Sequence, residues 1–292
     1  MGSHIAPTPR APPEIWRFIF WFATSSATSY HVDYTPFQPP PEMEETSRYL
    51  EEEAVRLQTC LALIRVCRLW RTVAEEFLYE DVRIFNSRGL QSLFSGLHRS
   101  ATLPLGRSLH TLRLNRNHFH THHSREIRFR EGVPAVTNLT NLVLHTTVPS
   151  TMLSFLSAIG RQLRVLEFTF APQLTFSSNQ MHRILSRCPN LEELVYHLGA
   201  PEISPLKAFQ HTSLKRVRLK LNPDEWYPYK HIVLTQFDIL AGPSFPSLEQ
   251  VLLHDSSRSF IRRDSASPLL MRMVERGCPV MYEDGSDIPL RK

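Results

Sequence analysis

The sequence predicts an α/β protein in two parts. Residues 1–80 form a short helical module, and residues 81–292 form a solenoid of strand, turn and helix repeats with a parallel β-sheet on its concave face and helices outside. Two observations carry this reading: the hydrophobic period changes from three-to-four to two near residue 80, and one six-residue pattern then recurs six times. At 292 residues, 42% hydrophobic and 21% charged, the chain has the size for one large or two modest cores and the composition of an ordinary soluble protein.

Residues 12–23, PPEIWRFIFWFA, read as a helix. Proline suits the first turn, where its missing N–H costs nothing, and Glu14 suits the positive end of the helix dipole. Ile15, Phe18, Ile19 and Phe22 form an apolar side, while Trp16, Phe20 and Trp21 extend the apolar surface almost all round. Two or three short helices cannot bury so much, so part of this surface is expected to meet a partner. From about residue 24 to 46 the chain turns to Ser, Thr, Pro and Gln, with Pro39, Pro40 and Pro41 in a row, which points to an exposed polar insertion. The acidic stretch 42–53 reads as a solvated lead into a helix at Leu57. Leu57, Leu61, Ile64, Cys67, Trp70, Val73 and Phe77 then recur at steps of three or four, the face of one helix or of two in succession. Val82 and Ile84 alternate with Asp81 and Arg83 as a half-buried strand does.

Beyond residue 85 the pattern reads LHTLRL at Leu109, LTNLVL at Leu139, LRVLEF at Leu163, LEELVY at Leu191, LKRVRL at Leu214 and LEQVLL at Leu248. Apolar residues at positions one, four and six, at intervals close to the 20 to 29 residues of that class, are the strand signature of a leucine-rich repeat. Helix-like runs at 90–97, 152–159, 179–188, 205–211 and 267–277 fill the intervals, and 280–282 adds a last strand with the polar GSDIPLRK as its cap. If Leu112 and Leu114 face the core, then alternation sends Arg113, Asn141, Glu167, Glu193, Arg216 and Arg218 to the open side, banded basic, neutral, acidic and basic. Mixed charge of this kind suits a protein ligand better than a uniformly anionic polymer. Trp226 and Tyr229, in LNPDEWYPYKH between two repeats, are candidate aromatic anchors for a target, or else cover one edge of the solenoid.

The sequence offers no catalytic constellation: no nucleophile elbow, phosphate-binding glycine loop, HExxH or paired CxxC, so a non-enzymatic protein is expected. The tract NHFHTHHSREIRFR holds His118, His120, His122 and His123, but no cysteine or carboxylate stands at a ligand spacing, and neither metal nor cofactor is assigned. Cys60, Cys67, Cys188 and Cys278 match neither a zinc ribbon nor a disulfide framework and read as reduced thiols. The net charge of +5 is too thin to assign a nucleic-acid partner. No apolar run approaches the roughly 20 residues of a membrane span, and Arg17 and the acidic Glu14 break any secretory leader, so the cytoplasm or nucleus is expected.

Two blocks resemble the F-box proteins, in particular the F-box and repeat proteins abundant in fungi. PPEIWRFIF is similar to the family's opening Leu-Pro-x-Glu-Ile run followed by Ile-Phe. LALIRVCRLWRTVAEEFLYEDVRI is similar to its closing Val-Cys-x-x-Trp, Leu-Tyr pair and entering strand. Cys188 and Cys278, in RCPNLEELVY and RGCPVMYED, resemble the cysteine-containing repeats that often follow an F-box. The chain departs from the family in having Ala11 where leucine is usual and a longer insertion between the blocks. The resemblance implies a substrate-recognition subunit of an SCF-type cullin-RING ubiquitin ligase. Its head would bind the Skp adaptor, and through it cullin, by Pro12, Pro13, Glu14, Ile15, Ile19 and Phe20 in the first block and Val66, Cys67 and Trp70 in the second. The repeats would hold a protein target. Two other readings stand beside it: a leucine-rich-repeat scaffold whose head is only a cap, and an RNA-binding repeat protein using the basic tract 99–130.

Overall fold

The structure, a computed structural model, describes residues 11–24, 43–84, 89, 90, 92, 93, 95, 109–114, 136–144, 150–168, 178–198, 210–221, 234–254, 267–286 and 288. The chain divides into two compact units, Met1–Asp81 and Val82–Lys292.

In the first unit, α1 spans Pro13–Thr24, α2 Met43–Ile64 and α3 Arg68–Glu80. The carbonyl of Pro12 accepts from the N–H groups of Ile15 and Trp16 at 3.0 and 3.3 Å, which closes the first turn of α1. The Thr24 hydroxyl closes the last by donating to the Phe20 carbonyl at 2.7 Å. Helix α2 begins fourteen residues before Leu57, so the acidic stretch is helix and not a lead-in. No Gly or Pro occurs between Met43 and Ile64, and Glu, Leu and Arg are good helix formers, so nothing stops the helix before Pro41. Residues 25–42 of the expected insertion lie outside the described residues. The apolar run from Leu57 to Phe77 is two helices, and Cys67 makes the break. Its extended backbone places it at the N-cap of α3, with its sulfur accepting from the Trp70 N–H at 3.5 Å. Phe20, Val73 and Ala74 form the buried centre, with Trp16, Leu63, Ile64, Trp70 and Phe77 packed around them.

The second unit is organised by an eight-stranded sheet whose strands lie side by side in chain order. They are β1 (Asp81–Ile84), β2 (Thr111–Leu114), β3 (Asn141–Leu144), β4 (Val165–Phe168), β5 (Glu193–Leu198), β6 (Arg216–Leu221), β7 (Gln250–His254) and β8 (Val280–Tyr282). Each pair from β2 to β8 is parallel, so every return crosses over through a connecting segment. Helices α4 (Ser150–Ile159), α5 (Ser178–Leu185), α6 (234–240) and α7 (Ser267–Glu275) lie in these connections. Helix α6 was not among the expected ones. Its sequence, LTQFDIL, follows the aromatic excursion and is too short to show a period. Of the helix expected at 205–211, Gln210 and His211 are not helical and the rest lies outside the described residues.

The six-residue pattern has a direct physical meaning here. Positions one, four and six are buried in all six copies, from Leu109, Leu112 and Leu114 to Leu248, Val251 and Leu253. Register stacks them into ladders: Leu112, Leu142, Leu166, Leu194, Val217, Val251 and Val280 form one, and Leu114, Leu144, Phe168, Tyr196, Leu219, Leu253 and Tyr282 the next. Tyr196 shows which side this is, since its hydroxyl donates to Gln236 Oε1 of α6 at 2.7 Å. Position two sets the register. The His110 carbonyl accepts from the N–H groups of both Thr140 and Asn141, and Thr140, Arg164, Glu192 and Lys215 repeat the arrangement toward the next strand.

Side chains tie one repeat to the next at the turns. Asn190 Nδ2 donates to the Arg161 carbonyl at 2.5 Å, and Arg187 Nε to Ser157 Oγ at 2.8 Å. Arg276 donates to the carbonyl of Leu240, the last residue of α6, and to that of Gly242, both at 2.6 Å, and to that of Phe245 in the turn that follows. Among the described residues no helix is long and apolar enough to cross a membrane.

Where α4 ends against the turn after α5, the approach leaves room only for glycine. A Cβ at Gly160 would stand 2.2 Å from the Arg187 carbonyl oxygen, which is backbone and cannot swing away, whereas one at Gly242 would stand 3.2 Å from its nearest neighbour. In urea unfolding followed by circular dichroism, Gly160→Ala is expected to lose about 1–3 kcal/mol, and Gly242→Ala clearly less.

Candidate functional site

Helix α1 carries apolar side chains on two opposite sides. Trp16 and Phe20, one turn apart, enter the core of the first unit, where the Trp70 ring lies 4.8 Å from Trp16 and 5.1 Å from Phe20, edge-on to the latter. Ile15, Phe18, Ile19 and Phe22 repeat at intervals of three and four on the other side. Phe20 has no exposure, but Phe18 keeps 65% and Phe22 69%. The apolar side predicted from the periodicity exists, and it faces out of the unit. Its flank is fixed by Arg17, whose two guanidinium nitrogens donate to the Glu76 carboxylate of α3 at 3.0 Å each. Both ends of that pair are well exposed, so it orients α1 more than it stabilises it.

The nine residues expected on the adaptor side therefore separate. Pro12, Pro13, Glu14, Ile15 and Ile19 are exposed on α1 or at its start, and Val66 and Cys67 are exposed at the turn between α2 and α3. Phe20 and Trp70 instead build the unit's own core, because an aromatic pair one helix apart packs most area when the two rings meet each other. Phe18 and Phe22, which complete the outer stripe, were legible in the period of α1 but belong to neither matched motif position.

On the second unit, the face of the sheet opposite the leucine ladders was expected to be open and solvated. Its middle row is instead closed: Val143 and Val195 are buried, and Glu167 is only 2% exposed. The row reads Arg113, Val143, Glu167, Val195, Arg218, Leu252 and Met281, more than half of it apolar, and such a row is stable out of water. On this face several charges are paired across strands. Glu193 accepts from Arg216 at 2.9 Å and from Arg218 at 2.5 Å, and Arg218 also lies 3.6 Å from Glu283. Glu283 pairs in turn with His254. Of the expected target-binding residues, Arg216 is exposed, Arg113, Asn141 and Arg218 are half-buried, and Glu167 and Glu193 are buried. Asn141 Nδ2 donates to Thr111 Oγ1 at 3.2 Å. Trp226, Tyr229 and the histidine tract lie outside the described residues.

A third outward row, missed in the sequence, extends from the ends of the longer strands. His197, Lys220 and His254 are cross-strand partners, and the signal was the extra alternation in VYHL, RLKL and LLHD. Burial, with the nearby Lys220 and His254 charges, pushes His197 down to about 4, and burial lowers Lys220 against the pull of Glu167 and Glu283. At the other end of the sheet, burial and the charge of Arg113 push Arg83 down to about 9. Burial raises the thiols of Cys188 to about 12 and Cys278 to about 11, so both are inert thiols beside the helix-to-strand turns. Among the described residues no group of His, Cys, Asp and Glu is placed to hold a metal. The arrangement is suited to contact, with charges fixed by their neighbours and, among the described residues, no poised nucleophile.

A scan against protein-family models matches none of them, and a search of curated proteins finds no significant relative.

Because the folded chain holds His197 neutral below its ordinary value near 6.5, the unfolded chain binds more protons between those two pH values. Stability is therefore full above about pH 6.5 and falls as the pH drops toward 4. Denaturant unfolding at pH 7 and pH 5 is expected to show a loss smaller in His197→Asn than in the wild type by about 1–2 kcal/mol.

Proposed function

We propose that this chain is the substrate-recognition subunit of an SCF-type cullin-RING ubiquitin ligase. Its first unit acts as an F-box-like module that docks on a Skp adaptor, and its second unit acts as a leucine-rich-repeat body that holds a protein target. The observation that carries the reading is the outer stripe of α1: Ile15, Phe18, Ile19 and Phe22 form a four-residue apolar face that the unit itself leaves uncovered. An apolar helix face of this kind is the form of a helix-in-groove docking element. Ile15, Phe18 and Ile19 of the stripe lie within the block that resembles the family's opening motif, with Phe22 just beyond it, and the exposed Val66 and Cys67 lie within the block that resembles its closing one.

In this reading the chain performs no bond chemistry. It raises the effective concentration of target lysines beside the ligase's catalytic partner by holding both ends of one assembly. The cross-strand pairs of Glu193 with Arg216 and Arg218 support the target-holding role of the sheet, since charges already fixed in place lose little further freedom on binding.

The experiment is a pull-down of the purified full-length chain with a purified Skp adaptor. Wild type is expected to bind, and the double variant Ile15→Asp/Phe18→Asp to lose at least tenfold in affinity, as a charge in an apolar docking face demands. Trp70→Ala is an unsuitable probe because it empties the unit's own core. No binding by wild type, or equal binding by the double variant, overturns the reading and leaves a repeat scaffold in its place.

A further inference from the structure

Strand β6 carries a cation at each of its outward positions. Val217 and Leu219 enter the core, which sends Arg216, Arg218 and Lys220 to the open side of the sheet. Two residues of strand advance about 6.6 Å, so the three side chains form a comb with that repeat. The carboxylates near them lie lower. Glu193, the cross-strand partner of Arg216, accepts from both arginines, but its side chain is only 10% exposed against 45% for that of Arg216. Glu167, whose charge acts on Lys220, is buried, and Glu283, 3.6 Å from Arg218, is also engaged by His254. One carboxylate cannot occupy the donors of two guanidinium groups, so Arg216 and Arg218 keep N–H groups for an incoming oxyanion. The acidic band expected across the middle of this face is therefore sunk beneath it, and a ligand over β6 meets donors.

We infer that the open side of β6 takes an extended acidic segment of a protein target, with Asp or Glu at alternate positions whose carboxylates meet Arg216, Arg218 and Lys220 in turn. An extended ligand sends every second side chain to one side with the period of the strand below it, so alternate acidic residues match the comb and consecutive ones do not. Resting on the target-holding role of the repeats and not on the adaptor, this assigns the chemistry of the target. A nucleic acid fits less well, because Glu193 and Glu283 cancel part of the charge, and binding to a phosphate backbone draws on the release of counterions by cations that lack such compensation.

The test is fluorescence polarisation with the purified full-length chain and two labelled octapeptides of one composition, an alternating Glu-Thr sequence and its block isomer with all glutamates first. At low salt the alternating peptide is expected to bind at least about fivefold more tightly than the block isomer. Arg216→Gln/Lys220→Gln is expected to weaken its binding about tenfold, while Arg218 stays in place to hold Glu193. Circular dichroism checks the folding of the double variant. If it is unfolded, Arg216→Gln alone replaces it, with a loss of about threefold expected. Equal binding of the two peptides, binding of neither, or binding that the substitutions leave unchanged overturns the inference. Tighter binding of an oligouridylate through the same residues also overturns it. Adaptor capture without peptide binding keeps the ligase reading and removes this inference, whereas peptide binding without adaptor capture keeps the acidic-segment site and removes the ligase reading.

Discussion

A unit of three helices can wrap only one side of a helix at its surface, and α1 carries large apolar side chains on two. Trp16 and Phe20 take the inner side, where they meet Trp70 over Val73 and Ala74. Ile15, Phe18, Ile19 and Phe22 are left on the outer side. Holding such a stripe in water is unfavourable by roughly 25 cal/mol per Å² of apolar surface, a cost that a partner groove removes. The same excess of apolar surface over what one element can cover runs through the second unit. There each strand has two or three inward leucine-type residues and becomes stable only against the next repeat, and the doubled N–H contacts to each position-two carbonyl hold that stacking in register.

What distinguishes the two units is how the leftover face is treated. The sheet pairs its outward charges internally: Glu193 serves two arginines, and Arg218 reaches on toward Glu283. Half-buried pairs of this kind are worth little as net stability but costly to break singly, so they fix the shape and charge pattern of the face. The outer side of α1 and the turn at Val66 have no such internal partner, and there the apolar surface remains available.

Much of this was legible in the sequence, for reasons specific to each element. The spacing of Leu, x, x, Leu, x, Leu states burial directly, because a strand alternates faces and the first leucine enters the core from the turn; all six copies are buried at all three positions. The outer stripe of α1 was legible as a period, but not its direction. Composition cannot say which of two apolar sides meets the core, and only the Trp16, Phe20 and Trp70 contacts decide it. Helix α2 starts well before the apolar period that marks it at Leu57, because glutamate is a good helix former where no Gly or Pro intervenes, and a run of glutamates carries no apolar period. The closed middle row of the sheet was missed because alternation gives the face of a residue and not what lies over that face. Val143, Val195 and Leu252 were the available sign.

The central claim is that the two sides of α1 have separate tasks, one for the fold and one for a partner. Three of the four tryptophans, Trp16, Trp21 and Trp70, lie in the first unit, so tryptophan fluorescence during denaturant unfolding reports mainly on it. Phe20→Ala is expected to lower its stability by about 3–5 kcal/mol, while Phe18→Ala, two residues away and equally aromatic, stays within about 0.5 kcal/mol of wild type. Equal losses from the two substitutions, or a larger one from Phe18→Ala, would contradict the account.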